Sequence, residues 1–156
     1  MQSQSRQFYL LALLLCTTLE AAEKGPTSFM DGTWKLNAAK SDGGPRDLPA
    51  SLSIKVTTNG PEFEGLQTID GGEMLLKFRS DGTEVVNQLP GGVEMRGKHR
   101  VENGAVYAEY RIITNQMEIT QSDKIVVSAD GKTLTTEREV KTTQGSFKQK
   151  LVFDRQ

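Results

Sequence analysis

The chain has 156 residues, which is enough for one domain and too short for a second of ordinary size. Its 19 basic and 20 acidic residues are intermixed and give a net charge of −1, which excludes the strong field that recruits nucleic acid or anionic lipid. With one cysteine and one histidine, the chain cannot form a cysteine–zinc site, an iron–sulfur cluster or a multi-histidine metal site, so we expect no metal and no cofactor.

Residues 1–22 differ in composition from the rest of the chain. Arg6 precedes a mainly apolar run over residues 8–16, and the segment ends in small residues. This order is typical of a secretory signal peptide, with cleavage near Ala21 or Ala22. The apolar run is about half as long as a membrane-spanning helix requires. We therefore predict a periplasmic or secreted protein with no membrane span in its mature part, with a retained anchor or a buried helix as the alternatives.

The pattern of residues 23–156 predicts an antiparallel meander, because turn signals recur at intervals of about 10 to 16 residues. These signals include Asn59-Gly60, Asp81-Gly82, Asn103-Gly104 and Asp130-Gly131. The segments between them alternate with period two, so that residues 93–102 place Met95 and His99 on one face and Arg96 on the other. With no long amphipathic helix to cover a sheet edge, this pattern predicts an all-β fold, a single up-and-down barrel of about eight to ten strands. A sandwich is the alternative.

Both ends of this region resemble the calycin barrels, the group that contains the lipocalins and the intracellular fatty-acid-binding proteins. Residues 29–36, FMDGTWKL, resemble their Gly-x-Trp start, and residues 150–156, KLVFDRQ, are similar to the closing strand of the fatty-acid-binding proteins. The resemblance implies that Trp34 closes one end of the barrel and that Arg155 packs over it. It supports the barrel rather than the sandwich.

A longer match is to a group of exported bacterial proteins of unassigned function. Residues 32–41, GTWKLNAAKS, fit their Trp-x-Leu-Asn-x-x-Lys-Ser pattern, and residues 130–135 resemble their late Asp-Gly-Lys-Thr-Leu-Thr hairpin. Because fold does not determine function, this match implies the barrel and no particular activity.

The chain departs from the fatty-acid-binding pattern at two places. That family holds the ligand carboxylate with an Arg-x-Tyr pair on the last strand, where this chain has Leu151 and Phe153. The helical lid between its first two strands has no counterpart in residues 38–52, AAKSDGGPRDLPASL. Fatty-acid binding is therefore not transferred by the resemblance.

The candidate ligand-binding residues are those that alternation places inside the barrel together with polar or aromatic character: Phe78, His99, Tyr110, Arg138 and Gln149. A buried guanidinium must be paired, so Arg138 would meet a ligand anion or bond to Gln149, Tyr110 or a buried carboxylate. His99 would act as a proton carrier or haem ligand, or be an internal histidine satisfied by a polar neighbour.

These features predict an exported lipocalin-like barrel that encloses a small, partly apolar or amphiphilic ligand. Acidic residues fall almost wholly on predicted outer faces or turns, so no catalytic carboxylate pair is visible and we do not expect an enzyme. The alternative is an envelope interaction or inhibitor module with a packed barrel, acting through the exposed Tyr107 and the loop of residues 41–48.

Overall fold

The structure, a computed structural model, describes residues 24–156. The predicted signal peptide lies outside the described residues. The described part contains one antiparallel sheet of ten strands, and it has no helix that is long and apolar enough to cross a bilayer. The strands are β1 (Gly32–Leu36), β2 (Leu52–Asn59), β3 (Glu62–Ile69), β4 (Gly72–Arg79), β5 (Val85–Leu89), β6 (Val93–Glu102), β7 (Ala105–Ile113), β8 (Glu118–Val127), β9 (Thr133–Thr142) and β10 (Gly145–Arg155).

Nearly every strand pairs with its neighbours in the chain, and β1 also pairs with β10. The sheet order is therefore β4-β3-β2-β1-β10-β9-β8-β7-β6-β5, and the prediction of an up-and-down barrel is confirmed. The hairpins form where the sequence predicts them. Between β6 and β7, Asn103 and Gly104 have φ values of 50° and 74°, the positive angles that a tight two-residue turn requires.

Helical structure in the described residues is limited to three single 3₁₀ turns, at Ser28–Met30, Ala38–Lys40 and Pro90–Gly92. After β1 the chain does not form a helical lid but continues along β10. The Asn37 N–H donates to the Val152 carbonyl at 2.8 Å, and the Asp42 N–H donates to the Lys150 carbonyl at 2.7 Å. The first half of the loop of residues 41–48 is thus attached to the wall of the barrel.

The barrel is nearly closed, and its seam lies between β4 and β5, which share no ladder of backbone hydrogen bonds. The side chain of Asn87 spans this seam. Its Oδ1 accepts from the Lys77 N–H and its Nδ2 donates to the Lys77 carbonyl, both at 2.9 Å. Because a carboxamide carries the same donor and acceptor as a peptide group, Asn87 replaces one residue of the missing ladder.

Alternation along the strands places an apolar core inside the barrel. Its members from β1, β3, β4, β6 and β10 include Trp34, Phe63, Phe78, Met95 and Phe153. Polar residues occupy the alternate, outward positions, as period two requires. The interior also contains a small number of polar side chains, and these define the candidate site.

Candidate ligand-binding site

One end of the barrel interior is closed by Trp34. The ring is fully buried, and its Nε1 donates to the Met30 carbonyl at 2.7 Å. The guanidinium carbon of Arg155 lies 4.1 Å from the centre of the ring, a cation–π distance. Gly32 has a φ of 129°, and a Cβ there would lie 2.5 Å from Arg155 Nη1. The positive φ therefore favours glycine at this position, and a side chain there would displace the end of Arg155.

The interior contains a cavity of about 220 Å³ that reaches from Trp34 to the middle strands. Its walls are mainly apolar, with Ile54, Phe63, Phe78, Leu134, Leu151 and Phe153 among the lining residues. Five polar residues from β6 to β9 line it: His99, Tyr110, Asp123, Thr136 and Arg138. An apolar pocket with a few convergent polar groups is the usual form of a small-molecule site, although this volume is below the usual range of about 300–1,000 Å³.

The first polar pair consists of His99 on β6 and Tyr110 on β7. His99 Nε2 and the Tyr110 hydroxyl are 2.9 Å apart, and His99 is 2% exposed. Burial lowers the pKa of His99 to about 4, so the imidazole is neutral at pH 7. Burial, and to a lesser extent the charge of Asp123, raises the pKa of Tyr110, so the phenol is also neutral. His99 Nδ1 is buried and has no hydrogen-bond partner among residues 24–156.

Local sequence explains how this pair fits inside the barrel. A Cβ at Gly97 would lie 3.2 Å both from His99 Cε1 and from Tyr110 Cδ1, so the glycine provides room for the two rings. The Phe78 ring packs on His99 at a centroid distance of 4.4 Å, and the Phe63 ring meets it edge to face at 5.2 Å. The imidazole therefore lies at the boundary between the aromatic wall and the polar groups.

The second polar pair consists of Asp123 on β8 and Arg138 on β9, which are opposite each other in the ladder. Arg138 Nε donates to Asp123 Oδ1 at 3.0 Å and Arg138 Nη2 donates to Oδ2 at 2.9 Å. Gln121 Nε2 also donates to the carboxylate, at 3.1 Å. Burial lowers the pKa of Arg138, but the hydrogen bonds and the charge of Asp123 outweigh burial and raise it overall. The pair is an internal ion pair with no net charge.

Of the partners considered for Arg138, the structure therefore selects a buried carboxylate. Sequence reasoning missed this residue, because it placed nearly all acidic residues outside. The signal was present in the alternation of β8, where Gln121 and Asp123 lie in phase with Ile119 and Ile125. Because two of these four inward positions are polar, the inward face of β8 is difficult to recognise from the sequence.

Gln149 is separate from the other candidate residues. It lies opposite Arg138 in the ladder, yet its Nε2 donates to the Gly43 carbonyl at 2.9 Å and the side chain does not line the cavity. Tyr107, which the alternative function would use, lies on the outer face with the Arg100 guanidinium 4.8 Å above its ring. Within residues 24–156 no three His, Cys, Asp or Glu side chains lie together as a metal site.

Two larger pockets are more open to solvent than the interior cavity, and charged residues form much of the lining of each. One, of about 500 Å³, crosses β2 to β4, where Arg79 is paired with Glu62 at 2.9 Å and with Asp81 at 2.6 Å. The other, of about 570 Å³, crosses β8 to β10 and includes Lys124 and Glu137. The first pocket shares Phe63 and Phe78 with the interior cavity, and the second shares Asp123 and Arg138. The interior cavity is the candidate site because it is the least open of the three and its lining is mainly apolar.

No protein-family model and no curated protein sequence matches the chain. Apo Caenorhabditis elegans lipid binding protein 8 matches in structure with a TM-score of 0.61 at 15% identity, covering 85% of this chain and 99% of that one. The fold is that of the calycin barrels. Zebrafish ileal bile acid-binding protein, in complex with cholic acid, matches this calycin barrel with a TM-score of 0.59 at 17% identity, covering 83% of this chain and 100% of that one. A secretory abundant heat soluble protein from Ramazzottius varieornatus gives a TM-score of 0.62 at 15% identity, with coverages of 82% and 96%.

Proposed function

We propose that this calycin barrel binds a small, partly apolar ligand in its interior. The observation that carries the proposal is the cavity in the barrel interior, where the His99–Tyr110 and Asp123–Arg138 pairs share the lining with aromatic and aliphatic side chains. Two solved structures with the same fold also support ligand binding, because one is a lipid binding protein and the other is in complex with cholic acid. These neighbours are binding proteins, in line with a carrier rather than an enzyme.

The cavity volume sets the size of the ligand. A dry protein cavity of about 150 Å³ accommodates benzene, so the 220 Å³ here corresponds to a ligand of about nine non-hydrogen atoms. At about 0.6 kcal/mol per non-hydrogen atom, such a ligand binds with about 5 kcal/mol, a Kd of roughly 0.2 mM. Most of that free energy comes from removal of apolar surface from water, at about 25 cal/mol per Å². The polar pairs then orient the ligand.

Export is the second part of the proposal. It is supported by the signal-like pattern of residues 1–22 and by the match of residues 32–41 to exported proteins. The ligand would then be a molecule of the periplasm or of the external medium. Mass spectrometry of the protein recovered from its own cells tests this part, since an exported mature chain begins near Ala22 and a retained chain keeps residues 1–22.

The test of binding is a titration with 1-hexanol, followed by amide chemical shifts and by the fluorescence of Trp34, the single tryptophan of the chain. Gly65 lines the cavity, and a Cβ there would lie 3.6 Å from Ile54 Cγ2, an ordinary contact, so Gly65→Val adds apolar bulk to the cavity. We expect saturable shifts at cavity-lining residues in the wild type and clearly weaker binding in Gly65→Val. Thr68→Val, on the outer side of β3, is the matched control and should bind as the wild type does.

Native mass spectrometry of the protein purified from its own envelope supplies an independent result. A retained small molecule supports the proposal. A protein adduct, together with no saturable response to 1-hexanol, supports the alternative of an interaction module acting through Tyr107 and residues 41–48.

A further inference from the structure

The one positively charged side chain that lines the cavity is paired with a carboxylate. Arg138 and Asp123 form a bidentate pair, with the Asp123 side chain 2% exposed and the Arg138 side chain 27% exposed. The remaining charged residue of the lining is Glu64 on β3, which lies opposite Lys77 of β4 in the ladder. The described lining therefore presents no unbalanced positive charge to a ligand.

Two of the Arg138 groups that would hold a carboxylate are already occupied. Nε and Nη2 donate to Asp123, while Nη1 has no hydrogen bond among residues 24–156. A ligand carboxylate entering the cavity would lie near the Asp123 carboxylate and would lose its hydration without gaining a free cation. An ammonium group would meet the same difficulty beside Arg138.

Single hydrogen-bonding groups, by contrast, are available. The neutral His99–Tyr110 pair borders the cavity, and His99 Nδ1 is buried with no partner in the described part of the chain. A buried nitrogen without a partner is unfavourable, and one polar atom without charge satisfies it.

We propose that the cavity selects an uncharged ligand whose polar end is a hydroxyl, carbonyl or amide group, in preference to a carboxylate of the same size. This inference rests on the proposed function, since it names the class of ligand for the same cavity. It also assigns the Asp123–Arg138 pair a specificity role: Asp123 neutralises the guanidinium that would otherwise attract an acid.

The test compares heptanamide with heptanoate, which have the same shape and about nine non-hydrogen atoms each, the size the cavity accepts. Binding is measured by calorimetry and amide chemical shifts at pH 7.5, where heptanoate is ionised. We expect the amide to bind at least tenfold tighter. Equal binding, or tighter binding of heptanoate, would overturn this inference while leaving the binding function intact. If neither compound nor 1-hexanol binds, the proposed function itself fails and this inference fails with it.

A variant pair examines the role given to Asp123. Asp123→Asn keeps the shape but leaves Arg138 with an unbalanced charge, so heptanoate should bind at least tenfold tighter than it does to the wild type. Glu109→Gln removes the same charge from the exposed outer face of β7, outside the cavity lining, and should change heptanoate binding less than threefold. A gain of the same size in both variants would show a general charge effect and refute the specificity role. If Asp123→Asn does not fold, the wild-type comparison still decides the preference.

Discussion

Acidification should destabilise the barrel through His99 alone by about 2 kcal/mol at pH 5. The imidazole has a pKa of about 4 in the folded protein, against 6.5 when it is not perturbed, because it is buried between Phe63, Phe78 and Tyr110. A lowered pKa means that the unfolded chain binds the proton more tightly. The contribution is therefore fully present above pH 6.5 and is lost as the pH falls toward 4.

The magnitude follows from the two pKa values. At pH 5 the unfolded histidine is protonated and the folded one is mainly neutral, so the penalty is about 1.5 pH units at 1.36 kcal/mol each, or about 2 kcal/mol. Urea unfolding followed by Trp34 fluorescence measures the free energy of unfolding at pH 7.5 and at pH 5. The other titratable groups near His99 are Tyr110 and the Asp123–Arg138 pair.

The comparison that isolates His99 is with His99→Gln, which cannot titrate. All other titratable groups are the same in both proteins, so their contribution cancels in the difference between the two pH profiles. We expect the wild type to lose about 2 kcal/mol more than His99→Gln between pH 7.5 and pH 5. Parallel profiles would mean that the folded protein accommodates the imidazolium, and that the burial argued for this site is incorrect.

Two further substitutions test the seam and the closed end. Asn87→Ala removes two hydrogen bonds across the β4–β5 seam and should lower the free energy of unfolding by about 1–3 kcal/mol in urea, whereas the exposed neighbour Gln88→Ala should change it by less than about 0.5 kcal/mol. Gly32→Ala combines a strained φ with a clash against Arg155, so we expect a loss of about 1–3 kcal/mol and a red shift of Trp34 emission. An unchanged emission maximum would contradict the account of that end.

The sequence was sufficient for the fold because period-two alternation and glycine turns are local signals. Asn103-Gly104 alone specifies a hairpin, and ten such segments with one apolar face each must close on themselves or pack in two layers. The closed end of the barrel could also be predicted from a local signal, the Gly-x-Trp start. The contact between Gly32 and Arg155 could not be predicted in this way, because the two residues lie at opposite ends of the barrel sequence.

The candidate site was only partly predictable because alternation assigns a side chain to a face but does not name its partner. His99, Tyr110 and Arg138 were placed inside from their own strands. That Asp123 lies opposite Arg138 depends on the register of β8 against β9, which no single strand contains. Gln149 shows the converse, since it has the correct phase but lies beside the loop at Gly43 and bonds there.

The interior of this barrel is not what stability alone would favour. An unfilled volume of 220 Å³ lowers stability by about 5 kcal/mol relative to a filled core, at about 24 cal/mol per Å³. A buried ion pair such as Asp123–Arg138 contributes little compared with apolar side chains of the same volume, and the unpartnered Nδ1 of His99 is a further loss. A barrel acting only through its outer surface has no physical need for any of the three. Because His99 and the ion pair line this same cavity, the proposed ligand, with an apolar body and one uncharged polar end, would fill the volume and give the histidine a partner while leaving the ion pair undisturbed.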